Sequence, residues 1–350
     1  MKRSIKILSL SVIGVIISAG TIGTLFFLTV IQTASPSGRY GSAMVYDPIL
    51  QKMIFYGGAY QDATGSDVFD DMWFFDPAFN IWTEINPTVK PAPRSGHSMV
   101  YDSINHKTIL FGGWVENVGM TSDTWIYDSQ TNQWTEVFPL NHPSNRQDQS
   151  MYYDSKAQKV ILYGGFRGFG GYYGDTWEYV YSNNSWINLN PSNGPPSRYG
   201  SKIVYDNNNN RGFLFGGRST TIKDDTWVYF YGNNTWKELN ITNKPDTRYW
   251  HGMVYDPNSN KIVVFGGYHV GAPEASLEDM WIFDPTNNQW TEVLPETHPS
   301  NRLCFTMIYD SRIQITILFG GIRGTDNNLG DTWALNHGSN SWYIVKGSDP

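Results

Sequence analysis

Short apolar runs separated by polar turns recur along nearly the whole chain, and each unit reads as four strands. Between Arg94 and Val137, Ser98-Met-Val-Tyr101 alternates and gives way to a polar turn. Thr108-Ile-Leu-Phe111 is then continuously apolar and ends in Gly112-Gly113. Trp125-Ile-Tyr127 alternates again, a second turn follows, and Trp134-Thr-Glu-Val137 completes the unit. Alternation predicts strands with one covered face, while a continuous run predicts an interior strand buried on both. Two glycines at the end of that run mark a place where the chain bends or meets a neighbouring backbone that a β-carbon would obstruct.

The unit recurs six times between Arg39 and Trp342. Its first landmark is an arginine, at Arg39, Arg94, Arg146, Arg198, Arg248 and Arg302, followed eighteen positions later by a Gly-Gly pair beginning at Gly57, Gly112, Gly164, Gly216, Gly266 and Gly320. An Asp-(Thr/Met)-Trp follows, ending at Trp73, Trp125, Trp177, Trp227, Trp281 and Trp333, with a second tryptophan nine positions on. A period near fifty residues predicts small sheets that bury their faces only against one another. Twelve of the fourteen tryptophans sit at fixed repeat positions and are expected to fill the wedges between sheets.

This combination of arginine, apolar strand, Gly-Gly and spaced tryptophans resembles the kelch repeat from Arg39 to about Val345. The resemblance implies an all-β, six-bladed propeller of four-stranded antiparallel blades, each with its first strand lining the channel. The expected blades are 39–87, 94–140, 146–191, 198–241, 248–295 and 302–346, within a domain of 33–350. Since the first strand is an inner one and the last an outer one, the ring is expected to close by packing between blades one and six, without exchange of a strand. The blades also pair at a distance of three. Arg-Tyr-Gly-Ser occurs at Arg39 and Arg198, and His-Pro-Ser-Asn-Arg ends at Arg146 and Arg302. A second period near 155 residues would set Arg167 and Arg323 on opposite sides of one channel mouth.

Residues 1–32 differ in kind. Lys2, Arg3 and Lys6 precede Ile7–Ile31, a stretch without a charge. It is long enough for a membrane-spanning helix, and its flanking cations predict an extracytoplasmic propeller. A signal peptide cleaved near Thr33-Ala34-Ser35 is the alternative. Without those three cations, 22 basic residues stand against 32 acidic ones, a net charge of −10. Nucleic acid is excluded as a partner by that balance. One cysteine, Cys304, leaves no internal disulfide. Asn183, Asn233 and Asn240 lie in Asn-x-Ser/Thr acceptors near turns.

Repetition favours scaffolding, so the six arginines are expected to pair with Asp71, Asp123, Asp175, Asp225, Asp279 and Asp331 in preference to collecting an anion. Binding is sought where the repeat breaks, in the loops after the Gly-Gly pairs, which gather on one face. The candidate residues are Trp114, Arg167, Phe169, Tyr172, Tyr173, Arg218, Trp250, Tyr268, His269 and Arg323. Aromatic faces with a few arginines suit a protein or a glycan. The histidines and the cysteine have no metal-ligand spacing, and Gly168–Gly174, although glycine-rich, opens no helix to hold a phosphate, so no metal, cofactor or catalytic residue is assigned. Galactose oxidase and sialic acid epimerase contain kelch propellers, so the resemblance leaves open an exported carbohydrate enzyme, with Arg167, Arg218 and Arg323 holding an acidic sugar. The oxidase chemistry would place Cys304, expected in the first strand of blade six, beside a cluster of tyrosines and histidines that the sequence does not offer.

Overall fold

Six antiparallel sheets of four main strands each stand around one axis in the computed structural model, which describes residues 34–271 and 275–346. Blade one consists of Ala43–Asp47, Lys52–Tyr56, Met72–Asp76 and Ile81–Ile85, paired in that order. The other innermost strands are Ser98–Asp102, Ser150–Asp154, Lys202–Asp206, Gly252–Asp256 and Thr306–Asp310. Each packs against the next, and the sixth packs against the first, so the ring is closed. The expected N-terminal span, Ile7–Ile31, falls outside the described residues. Among the described residues no helix is long and apolar enough to cross a membrane.

The second strand of each blade is the buried one, as its continuous apolar run requires. Every residue of Ile315–Phe319 is buried, and Lys52–Tyr56 is buried except at Lys52. Between blades one and six, Met44, Phe55 and Trp82 interleave with Ile317 and Phe319, and equivalent clusters fill the other wedges. Removing one such tryptophan from water buries roughly 150–250 Å², worth about 4–6 kcal/mol before conformational costs.

No strand is exchanged at the seam. The N–H of the second glycine in each pair donates to the carbonyl of the next blade's repeated arginine, from Gly58 to Arg94 at 2.9 Å around to Gly321 to Arg39 at 2.8 Å. Close approach explains the glycines: a β-carbon on Gly320 would lie 2.7 Å from the Arg39 carbonyl oxygen. Blades one and six are therefore joined by the same bond that joins every other pair.

Above the Gly-Gly pairs the blades diverge. Strands two and three extend past them in blades two, three and five, through Lys107–Val115, Lys159–Phe166 and Lys261–Tyr268. Blade one instead carries a small separate hairpin, Ala59–Asp62 with Gly65–Val68, and blade six one of Ile322–Arg323 with Asn327–Asn328. In blade four only the bridge between Arg218 and Ile222 remains. We call this side the Gly-Gly face and the opposite one the turn face.

Candidate functional site at the channel mouth

The repeated arginines are consumed by the scaffold. Arg94 grips both oxygens of Asp123 at 2.9 and 2.6 Å and donates to the Gly112 carbonyl at 2.9 Å, while the indole Nε1 of Trp125 donates to Asp123 Oδ2 at 2.7 Å. Equivalent bonds occur in all six blades, from Arg39 with Asp71 to Arg302 with Asp331. Each spacing in the motif thus reports one bond of this lattice. Burial pushes the carboxyls of Asp123, Asp225 and Asp331 up, but the paired arginine outweighs it and holds them below their usual range. No repeated arginine is left to collect an anion at the mouth.

The second tryptophan of a blade reaches back to the previous one. Trp82, Trp186, Trp236 and Trp290 donate to Thr332, Thr124, Thr176 and Thr226 at 3.1 to 3.3 Å. Trp134 and Trp342 have no such partner, because Met72 and Met280 occupy the threonine position in blades one and five.

Two residues after each arginine the chain turns inward with positive φ, at Gly41, Gly96, Asp148, Gly200, Trp250 and Cys304. The N–H of each donates to the carbonyl of its counterpart on the adjoining blade at 2.7 to 2.9 Å, and the six bonds form a closed circle about the channel. Below it lies a cavity of about 460 Å³ lined by the inner strands of all six blades. At the turn face a second ring ends the channel. Tyr205 and Tyr255 donate to Asp154 and Asp206 of the preceding blade at 2.7 and 2.9 Å. Tyr46, Tyr101, Tyr153 and Tyr309 face Asp310, Asp47, Asp102 and Asp256 in the same way, and burial followed by these carboxylates raises their pKa values. This Tyr-Asp pair, repeated in all six units, was legible in the sequence and is absent from the motif reading above.

On the Gly-Gly face the rings of blades three, four and five meet in an arc. Tyr199 is its hub, stacked on Tyr172 at 5.5 Å and 14°, and 5.3, 5.6 and 5.7 Å from Phe166, Tyr249 and Trp250. Tyr249 lies 4.3 Å from Trp250 and 4.9 Å from Tyr268, and its hydroxyl accepts a 3.0 Å bond from Arg218 Nη1. The structure therefore brings Tyr172, Arg218, Trp250 and Tyr268 together from the expected set. Phe166, Tyr199 and Tyr249 join them unforeseen, the last two hidden directly behind repeated arginines.

The other expected residues divide. Phe169 stands fully exposed at the tip of the blade-three loop, in a short 3-10 turn over Gly168–Gly170. Tyr173 belongs to the scaffold, since the Arg146 guanidinium lies 3.9 Å over its ring, and exposed Arg167 lies 5.7 Å from it on the rim. His269 turns back, its Nδ1 2.7 Å from the Thr247 carbonyl. Trp114, in blade two, makes no ring contact with the arc among the described residues. Arg323 sits in the blade-six hairpin opposite Asn327.

Beneath the arc lie titratable groups that the repeat does not call for. Burial pushes the Asp148 carboxyl up to about 6 and the Cys304 thiol well above its usual range, while it lowers the Lys202 ammonium. All three are half-buried, and Lys202 borders the channel cavity. Cys304 thus belongs to the circle and precedes the blade-six inner strand, contrary to its expected place within that strand. His97 and His251 are held neutral by burial and then by Arg94 and Arg248, and pack edge-on against Tyr56 and Phe215. Among the described residues, no three His, Cys, Asp or Glu side chains are grouped to hold a metal.

A family model described as the KLHDC2/KLHL20/DRC7 Kelch-repeats domain matches residues 27–217 and 200–350. The chain belongs to the kelch-repeat family. Host cell factor homolog hcf-1 of Caenorhabditis elegans is 27% identical over 272 residues, which cover 74% of this chain and 28% of that protein. Mei4-dependent protein 6 of Schizosaccharomyces pombe is 36% identical over 75 residues, covering 21% of this chain and 11% of that protein. The matches therefore span under a third of the length of these relatives. Kelch propellers commonly bind proteins.

Proposed function

We propose that this kelch propeller is a protein-binding module that docks its partner on the Gly-Gly face, over the aromatic arc of blades three to five. The observation that carries the reading is the arc itself. Six contiguous rings, together with Arg218, gather at the edge of the channel mouth, five of them half-buried with exposed surface and Tyr249 buried beneath as their support. Tyrosine, tryptophan and arginine dominate protein hot spots because they combine a large rigid apolar area with a polar tip. Phe169, Val118 and Val270 extend the surface as exposed apolar tips on the loops of blades three, two and five.

Affinity enrichment on the immobilised full-length chain, in parallel with a Tyr172→Ala/Tyr268→Ala variant, tests the reading. A protein retained by the first and lost from the second is expected. Retention by both would remove the arc from the account, and glycan-array binding without a protein partner would favour a sugar ligand. The cations at Lys2, Arg3 and Lys6 ahead of uncharged Ile7–Ile31 support display of this face outside a membrane. Protease shaving of intact cells that spares the propeller would oppose that placement.

A further inference from the structure

Opposite charges meet at the channel mouth without satisfying each other. The fourth residue after each repeated arginine is Ala43, Ser98, Ser150, Lys202, Gly252 or Thr306. Five of these are small, and Ser98 and Ser150 donate from Oγ to the Gln149 and Ser201 carbonyls of the next blade at 2.7 and 2.5 Å. Lys202 is the exception, and it lines the cavity directly below the hydrogen-bonded circle. In that circle blades one, two and four have glycine, which adopts positive φ freely, whereas Asp148 and Trp250 hold φ of 55° and 58°. A bulky residue in that conformation is strained, and strain of this kind collects at functional sites.

Four departures from the repeat, at Asp148, Lys202, Trp250 and Cys304, thus converge from blades three to six. Lys202 and Asp148 feel each other electrostatically yet, among the described residues, form no ion pair, and the Lys202 ammonium has no hydrogen-bond acceptor there. Asp148 accepts one long bond, from Gln147 Nε2 at 3.3 Å. The Trp250 indole Nε1 is buried beside Asp148 and polarises its carboxylate, but lies too far off line for a well-formed hydrogen bond. Further down, Met44, Met99, Met151, Met253 and Met307 recur at one equivalent position of five blades and border the cavity, although their side chains pack mainly into the wedges between blades. The cavity volume falls within the range of small-molecule pockets.

We propose that the channel mouth binds a small zwitterion, its carboxylate on the Lys202 ammonium, its ammonium on Asp148 and its apolar part directed down into the cavity. A ligand with one charge leaves the opposite protein charge buried and uncompensated, so both ends are required. The site is distinct in ligand and test from the protein-docking arc, with which it shares only Trp250. Asp148, which faces Tyr40, Gln147, Tyr199, Lys202, Trp250 and Cys304, is ionised above its raised pKa of about 6 and largely protonated at pH 5, so binding weakens as pH falls.

Calorimetric titration of the full chain at pH 7.5 with glycine, β-alanine, γ-aminobutyrate and L-methionine scans the charge separation, with L-methionine amide and N-acetyl-L-methionine as the singly charged controls. At least one zwitterion is expected to bind with Kd below about 1 mM, and loss of either charge to weaken binding at least about tenfold. Lys202→Met and Asp148→Asn are each expected to do the same, with unchanged partner retention on the arc; asparagine tolerates the backbone conformation of Asp148. Absence of binding by the whole series, controls that bind as well as their parents, or unchanged affinity in a folded Lys202→Met variant would each overturn the proposal. The controls act on the unmodified protein, so a variant that fails to fold leaves that arm decisive.

Discussion

The two ends of the channel are built from the same six strands and yet differ in kind. At the turn face every blade contributes the same tyrosine and aspartate to one ring, the tyrosines all facing the carboxylate of the preceding blade. At the Gly-Gly face the backbone circle is just as regular, but its side chains are glycine three times and aspartate, tryptophan and cysteine once each. Equivalent positions filled identically serve closure of the ring, while those filled differently on blades three to six carry rings and charges that closure does not need. The contrast assigns stability to what repeats and recognition to what does not.

The largest test of that division is removal of a lattice carboxylate. Asp331→Ala strands fully buried Arg302 and the Trp333 indole, and should cost about 3–5 kcal/mol in urea unfolding. An unchanged midpoint would show that the lattice does not carry the fold.

A change at the other end of the comparison should act in the opposite direction. The folded-state carboxyl of Asp148 titrates near 6, above its unfolded value near 4, so its favourable contribution is complete below pH 4 and is lost as pH rises through 6. Asp148→Asn should therefore stabilise the protein on the order of 2 kcal/mol at pH 7, and the gain should vanish near pH 4. Denaturation series at the two pH values read this directly, and a gain independent of pH would contradict it. The lattice carboxylates of Asp123, Asp225 and Asp331 have lowered values, so their contribution holds above their unfolded range and fails only in stronger acid.

Smaller still is Thr176→Val, which keeps the shape but leaves the Trp236 indole without its acceptor and should cost about 1–2 kcal/mol. The blades in which methionine replaces this threonine already live with that loss at Trp134 and Trp342. Tyr268→Ala, at the half-buried end of a strand in the arc, should cost under about 1 kcal/mol of stability and still abolish partner binding. A large fall in its melting temperature would move Tyr268 from the recognition surface to the scaffold.

The fold was legible because each motif spacing reports a bond: the arginine to the glycine carbonyl eighteen residues on, the aspartate to the tryptophan two residues on. The site was legible only in part. Tyr172, Arg218, Trp250 and Tyr268 stood out as departures from the repeat, but Tyr199 and Tyr249 directly follow repeated arginines and read as part of it. Lys202 was missed because one unusual residue on an inner strand gains meaning only beside Asp148 and Cys304, which lie 54 or more positions away in sequence or on another strand. His269 and Trp114 looked equivalent to Tyr268, yet the first is turned back onto Thr247 at the entry to blade five and the second belongs to a different blade. Sequence gives the blade of a side chain but not its direction around the axis.

Site-specific photo-crosslinking compares the two faces most directly. A benzophenone amino acid is placed at Phe169 on the Gly-Gly face or at Phe79, 73% exposed in a turn of blade one on the opposite face. Covalent capture of one discrete protein from Phe169, lost on Tyr268→Ala, and none from Phe79 is the predicted result. Capture of the same protein from Phe79 with none from Phe169 would place recognition at the repeated end and contradict the account.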